Sequence, residues 1–175
     1  MHTIKESSSI LIVGGGTGKI LESFSASHTI DYVEPSASMI NRSKQRSYQC
    51  DVQFHPCSIQ EFIPSKDYDV IVLPFVLDLF NSQELEEVIR KCTQALNHHG
   101  RIHISDFYPE ELLDARWKKL LLRTVIVFFR ITTKHHLQII VNITPIMQAT
   151  DYKKVTSKNY FHGMVFASLW ERVTH

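Results

Sequence analysis

The residues of this chain best suited to chemistry are a run of glycines: Gly14, Gly15 and Gly16, then Thr17, Gly18 and Lys19, entered directly from the apolar Ile10-Leu11-Ile12-Val13. An apolar run that halts at a glycine loop and resumes as a helix pattern predicts a buried parallel strand, a tight turn and a helix start. Glycines at alternate positions let the backbone take positive φ and approach a ligand with no Cβ in the way. Three glycine loops compete for this spacing. A phosphate-binding P-loop requires G-x-x-x-x-G-K-[ST]. Counted from Gly18-Lys19, its first glycine falls on Val13 and its hydroxyl on Ile20, so the residue that would hold Mg²⁺ is missing and this chemistry is excluded. The dinucleotide fingerprint G-x-G-x-x-G accommodates Gly14 and Gly16 but meets Lys19 where its third glycine belongs. What fits is G-x-G-x-G, through Gly14, Gly16 and Gly18.

The elements that position this loop follow from hydrophobic patterning. Thr29 to Glu34 (TIDYVE) is the second strand, and Glu34 stands 20 residues after Gly14, where α/β nucleotide folds place the acid that accepts from ribose hydroxyls. Pro35 and Met39 open the next helix. Val52 to Ile59 is the third strand and its exit, ending at Ser58-Ile59, and Tyr68 to Leu73 is the central buried strand, continuing into Pro74-Phe75. Ser82 with Glu84 to Leu96 forms an amphipathic helix, with Leu85, Val88, Ile89, Cys92 and Leu96 on one face, closed by a glycine cap at His98-His99-Gly100. Arg101 to Ser105 is the next strand, ending at Asp106-Phe107-Tyr108. Tyr152 to Tyr160 and Met164 to Arg172, joined at His162-Gly163, read as a hairpin. With right-handed crossovers this is an α/β protein, a doubly wound, mostly parallel Rossmann-like sheet with a C-terminal antiparallel β-hairpin. Ligands of such sheets bind at the carboxyl ends of the strands. The glycine loop, Glu34, Ser58-Ile59, Pro74-Phe75 and Asp106 all fall there.

The G-x-G-x-G loop resembles motif I of the class I S-adenosylmethionine-dependent methyltransferases, and YDVIVLPF, from Tyr68 to Phe75, resembles their motif IV. The resemblance runs from Ile10 to about Arg172 and is nearest to the small UbiE-like, quinone-methyltransferase-type members. It implies that Gly14, Gly15, Gly16, Thr17 and Gly18 cradle the methionine part of the cofactor and that Glu34 holds its ribose. Pro35 and Met39 would lie against the adenosine, Ser58 and Ile59 at the adenine, and Pro74 and Phe75 beside the methionine moiety. S-adenosylhomocysteine would be the product. Because a sulfonium methyl is already electrophilic, the protein mainly supplies in-line placement and a dry pocket. A base matters only if the acceptor must lose a proton. Asp106 or Tyr108 is the expected contact to the acceptor, against a plainer assignment as strand-end cap and packing aromatic; Asp78 is a further candidate on the same terms. Two departures stand out. Many relatives carry an acid at the position of Ile12, and no counterpart is expected before Ile10 for the N-terminal helices that cover the acceptor site in relatives. The segment 110–134, a dimer partner or a protein partner is expected to do the covering.

Length and composition predict a single domain over 1–175, with 109–150 as a lid or substrate-side insertion. Pro109-Glu110-Glu111 looks like a helix start. Trp117, Leu120, Leu121, Thr124, Val125, Phe128 and Phe129 make an apolar stripe, with Lys118, Lys119, Arg123 and Arg130 largely off it. That stretch is too short and too charged for a membrane span, which needs roughly 20 apolar residues, so it is either a helix buried on the sheet by one face or a lid over the methyl-transfer site that lines an apolar acceptor pocket or touches a membrane surface. Residues 137–150 read as a mobile connection with a short apolar element. A formal net charge of +1 gives no argument for nucleic acid or for an anionic membrane surface. Three cysteines without a C-x-x-C motif, and an N-terminus with no apolar core of a signal peptide, point to free thiols in the cytoplasm. The histidine pairs His98-His99 and His135-His136 point apart, no H-E-x-x-H occurs, and no metal is expected. The leading expectation is methyl transfer by in-line displacement to a small acceptor, with apolar compounds the first to try. The alternatives are a cofactor-binding but non-catalytic or partner-dependent protein, and a nicotinamide-dependent oxidoreductase, against which Lys19 and the hairpin argue. A homodimer and membrane-surface contact are left open.

Overall fold

β1 (Ser9–Val13) is buried from its second residue onward, as its unbroken apolar sequence requires of a strand covered on both faces. Around it the computed structural model, which describes residues 4–120 and 141–173, builds one sheet with β2 (Thr29–Val33), β3 (Asp51–His55), β4 (Tyr68–Pro74), β5 (Leu96–Phe107), β6 (Tyr152–Tyr160) and β7 (Val165–Arg172). The order is β3-β2-β1-β4-β5-β7-β6. The first five strands in that order pair in parallel, and β7 runs antiparallel to both β5 and β6. This is the doubly wound sheet and terminal hairpin expected from the pattern, with β7 inserted between β5 and β6.

Side chains alternate across the pleat and divide the core into two layers. Leu11, Val13, Val33, Ile71, Leu73, Ile102 and Ile104 pack on Leu85, Val88, Ile89 and Cys92 of α2 (Ser82–Gln94). Helix α2 starts on a capping box in which Asn81 accepts from the Glu84 backbone at 3.0 Å and Glu84 accepts from the Asn81 backbone at 2.8 Å. α3 (Ile143–Gln148) adds Ile143 and Met147 to the same layer. On the other face Ile10, Ile12, Ile30, Tyr32, Val70 and Val72 meet Leu21, Phe24 and Cys50. α1 (Ala37–Lys44) follows β2, capped by Ser36.

Three boundaries differ from the sequence reading. α2 ends at Gln94 and no glycine cap forms at Gly100. The carbonyl of Ala95 accepts from the Tyr68 backbone at 2.8 Å, Leu96 pairs with Tyr68, and β5 runs on through His98-His99-Gly100. Sheet pairing overrides the cap signal; Gly100 is there because a Cβ would stand 2.7 Å from the Leu96 side chain. β3 stops at His55, whose carbonyl accepts from Cys57 at 2.9 Å, so Ser58-Ile59 lies beyond the strand in a turn. The helix after the glycine loop is a short 3₁₀ segment, Lys19–Ser23. Of the apolar stripe, Trp117 and Leu120 are described; Leu121, Thr124, Val125, Phe128 and Phe129 lie outside the described residues.

Asp31, on β2, is a buried carboxylate the sequence did not announce. Its side chain meets His55 Nε2 at 2.6 Å and Lys66 Nζ at 3.0 Å, and accepts from the Tyr68 hydroxyl at 3.0 Å. Burial alone would push its carboxyl up, but the hydrogen bonds from His55, Lys66 and Tyr68 prevail and hold it below the usual carboxylate range. A carboxyl with a depressed folded pKa stabilises the fold above its unfolded value and ceases to as pH falls through the folded one. Asp31→Ala therefore removes about 3 kcal/mol in urea unfolding at neutral pH, and the difference from the parent shrinks as pH is lowered past about 4. Equal stabilities at pH 7 would show that the cluster contributes nothing.

Candidate active site

The glycine loop is fixed from beneath. Gly14, Gly16 and Gly18 take φ of 69°, 60° and 74°, and the Gly14 backbone donates to Val33 at 2.8 Å. A Cβ on Gly14 would stand 2.6 Å from Val76, one on Gly15 2.4 Å from the Tyr32 ring, and one on Gly18 2.7 Å from Ser43. At Gly16 a Cβ would meet nothing within 4 Å. The Gly16 carbonyl accepts from the Tyr32 hydroxyl at 2.9 Å and lies at the same distance from Ser43 Oγ. Arg46 donates from Nε to the Thr17 carbonyl at 2.6 Å and pairs with Glu22 at 2.7 Å. Burial, with the charge of Glu34 adding to it, pushes the Tyr32 hydroxyl up to about 12, so it stays a neutral donor.

Glu34, at the end of β2, turns its carboxylate onto this loop. One oxygen accepts from the Gly16 backbone and the other from the Ser36 backbone, each at 3.0 Å. A carboxylate offers about four acceptor positions, so capacity for further donors remains. Pro35 is exposed and Met39 half-buried beside it. Ile12 is fully buried in the layer of Tyr32 and Ile30 and presents no polar atom to the edge. The Ser58 hydroxyl donates to Glu61 at 2.8 Å, and Ile59 lies in the core on the α2 side.

The exit of β4 carries strain. Phe75 has φ +52°, a conformation L side chains seldom adopt, while its N–H donates to the Ser105 carbonyl at 2.7 Å. It is 46% exposed, and its ring centroid lies 5.4 Å from that of Phe107. Asp106, expected at the acceptor, points inward: it is 0% exposed, and its oxygens accept from the backbones of Leu77 at 2.9 Å and Phe107 at 2.7 Å. Burial pushes its carboxyl up to about 7, with the charge of Asp78 adding to the effect; burial raises Asp78 itself to about 6. The Tyr108 hydroxyl donates to Asn159 at 2.9 Å and its ring packs against Phe166. Thus the glycine loop, Glu34 and Tyr32 form one constellation and Phe75 and Phe107 an aromatic pair, while Asp106 and Tyr108 are engaged within the protein. A cavity of about 500 Å³ lies at the opposite edge, by Ser8, Asp69 and Arg101; none of the residues expected in the site lines it.

Residues 10–100 match the family described as methyltransferase domain. The chain belongs to this family. N-terminal Xaa-Pro-Lys N-methyltransferase 1 of Ailuropoda melanoleuca is 36% identical over 67 residues, a stretch that is 38% of this chain and 27% of that protein. The chain thus matches about a quarter of that relative's length. The fold is similar to that of mycolic acid cyclopropane synthase CmaA1 in complex with SAH and CTAB (TM-score 0.71, 10% identity, 97% of this chain and 79% of the other). It is also similar to N-methyltransferase NodS from Bradyrhizobium japonicum WM9 in complex with SAH (TM-score 0.68, 13% identity, 95% and 79%). At such identities the likeness is one of fold, and the fold is that of class I S-adenosylmethionine-dependent methyltransferases.

The residues present suit that family's cofactor, S-adenosylmethionine. Three of the four loop glycines are demanded by the protein's own packing, whereas Gly16 faces open space beside a carboxylate with acceptor capacity to spare. Sequence reasoning missed Tyr32, Ser43 and Arg46, the supports of the loop; the one signal was that Tyr32 shares the strand face of Glu34. The two kinds of glycine separate experimentally. Gly15→Ala loses about 2–3 kcal/mol of stability in denaturant titration as the Tyr32 ring is displaced. Gly16→Ala costs only about 1 kcal/mol for its left-handed φ but weakens S-adenosylhomocysteine binding in calorimetry. Similar stability losses in both would contradict the distinction. For Asp106, a raised folded pKa means that stability falls as pH rises from about 4 to about 7. Asp106→Asn flattens that slope, which thermal unfolding across the range would detect.

Proposed function

We propose that the protein transfers a methyl group from S-adenosylmethionine to a small, apolar acceptor that approaches across Phe75 and Phe107. The observation that carries this reading is the open side of Gly16, set between the Glu34 carboxylate and a backbone pinned by Tyr32. Gly14, Gly15, Gly16, Thr17 and Gly18 hold the methionine part, Glu34 the ribose, and Pro35 and Met39 the adenosine. Ser58 and Ile59 border the adenine through their backbone, because the Ser58 hydroxyl is already given to Glu61. Pro74 and Phe75 flank the reacting centre. When bound, S-adenosylmethionine supplies a methyl that is already electrophilic. The chain's own task is then alignment and exclusion of water. Asp106 acts as a positioning residue, holding the Leu77 backbone and with it the turn that follows Phe75. Tyr108 ties the end of β5 to β6 through Asn159.

The apolar character of the acceptor rests on Phe75 and on Leu79, which is 40% exposed on the turn after β4. Residues 109–150 serve as the substrate-side cover. Free Cys50, Cys57 and Cys92 support a reducing, cytoplasmic setting, and no helix among the described residues is long and apolar enough to cross a membrane.

Calorimetric titration with S-adenosylmethionine and S-adenosylhomocysteine tests the reading, beside a Gly16→Arg variant whose side chain fills the open face. Micromolar binding by the parent that is lost in the variant is expected. Transfer of labelled methyl to a panel of quinols and phenols then follows. No binding by the parent would sink the proposal, and binding without transfer to any acceptor would leave a cofactor-binding protein that works through a partner.

A further inference from the structure

The rim beside the candidate active site is aromatic and exposed. Phe107, at the carboxyl end of β5, pairs with Val165 at the start of β7, so the turn Phe161–Gly163 lies at the same sheet edge as the glycine loop. At its tip Tyr160 is 48% and Phe161 75% exposed, and Phe161 and His162 both take positive φ, 49° and 56°. The chain after β5 docks against this turn. The Trp117 ring lies 6.0 Å from that of His162, the Tyr108 backbone donates to Met164 at 2.9 Å, and Leu113 is buried with Met164. Trp117 and Leu112 are 52% and 54% exposed. Exposed Arg116 and Lys158 and half-buried Lys119 accompany them, while Lys118 is bonded to Asp114 at 2.7 Å.

Tryptophan, tyrosine and phenylalanine at exposed tips suit the boundary between water and lipid, where an apolar body and a polar edge are both satisfied. Each Lys or Arg near an anionic lipid surface strengthens binding roughly fivefold. The rim also connects to the site through apolar contacts, since Phe107 packs on the Leu113–Met164 cluster and its ring faces that of Phe75. We propose that this rim docks on the surface of an anionic phospholipid bilayer, from which an apolar acceptor passes by Met164 and Phe107 to Phe75. The passage rests on the apolar-acceptor reading above; the docking is measured without any acceptor.

The test is co-sedimentation of the full chain with vesicles of phosphatidylcholine alone and of phosphatidylcholine with phosphatidylglycerol, read together with tryptophan emission. Of the two tryptophans Trp170 is 2% exposed, so Trp117 is the one that faces solvent. Binding to the anionic vesicles, weakened by salt, with a blue shift in emission, is expected. Phe161→Asn should reduce partitioning roughly tenfold by removing a side chain that enters the apolar zone; asparagine takes a positive φ readily, and unchanged S-adenosylhomocysteine binding shows that the fold survives. Trp117→Phe should still sediment but lose the shift. The proposal is overturned by absence of binding to the anionic vesicles, by binding that Phe161→Asn leaves unchanged, or by a shift that survives Trp117→Phe. It is equally overturned if the shift appears without vesicles as concentration rises and ultracentrifugation finds a dimer, which assigns the rim to a second copy. Failure of cofactor binding in calorimetry would instead strike the methyl-transfer reading alone.

Discussion

The ring of Tyr32 stands 2.4 Å from where a Cβ on Gly15 would be, and its hydroxyl donates to the carbonyl of the next residue. This contact couples β2 to the loop that leaves β1, and the remaining glycines extend the coupling. Gly18 lies on Ser43 of α1, and Gly14 lies on Val76 just beyond β4. The loop is therefore shaped by three neighbours in the fold, each too close for a side chain. Only on Gly16 is that constraint absent, so the same close packing that fixes the loop also leaves one open side. Glu34 completes the arrangement by accepting from the Gly16 backbone, which sets an acid and an open glycine side by side.

The parts of this site that sequence made legible are those whose signal is local. A glycine spacing, an acid at a strand end and a buried run ending in Pro74-Phe75 can each be read within a few residues, and each lies at the carboxyl edge of the sheet. The supports were not legible because they join positions distant in the chain. Tyr32 reaches back 16 residues to Gly16, and Arg46 reaches back 29 to Thr17. Nor does sequence say which way a strand-end side chain points. Asp106 reads as a contact to the acceptor or, more plainly, as a strand-end cap, and in the fold its oxygens accept from the Leu77 and Phe107 backbones. Gly100 shows a third kind of miss. A glycine after an amphipathic helix is a sound cap signal, yet the pairing of Leu96 with Tyr68 begins before the cap could form.

Two buried carboxylates on the same face of the sheet follow different logic. Asp31 is buried but compensated: His55, Lys66 and Tyr68 converge on its two oxygens, so the ionised form is favoured despite burial. Asp106 is buried with backbone donors and another acid, Asp78, as its electrostatic neighbour, so its neutral form is favoured at higher pH than usual. Of the cations nearest the glycine loop, Lys19 pairs with Glu22, and Arg46 bridges Glu22 and the Thr17 carbonyl. At the carboxyl edge Glu34 is the carboxylate set beside the loop, since burial raises Asp78 to about 6 and Asp106 to about 7. Such an edge suits a ligand that arrives with a positive charge, as a sulfonium does, better than it suits a nucleotide polyphosphate.

The backbone at this edge is strained where glycine would have been easier. Three of the four non-glycine positive-φ residues among those described, Phe75, Phe161 and His162, lie at the carboxyl end of the sheet. Each such position costs of order 1 kcal/mol or more. Phe75 is held there by its hydrogen bond into β5 and by the ring of Phe107; the turn bearing Phe161 is held by the pairing of β6 with β7. Neither phenylalanine gains that cost back by burial, since they are 46% and 75% exposed. A fold optimised for stability alone would place glycine or asparagine at both positions. An exposed phenylalanine in such backbone offers a partner apolar contact and a ring face that attracts cations. The proposed approach of the acceptor at Phe75 and the proposed docking at Phe161 both draw on this one mismatch between side chain and backbone.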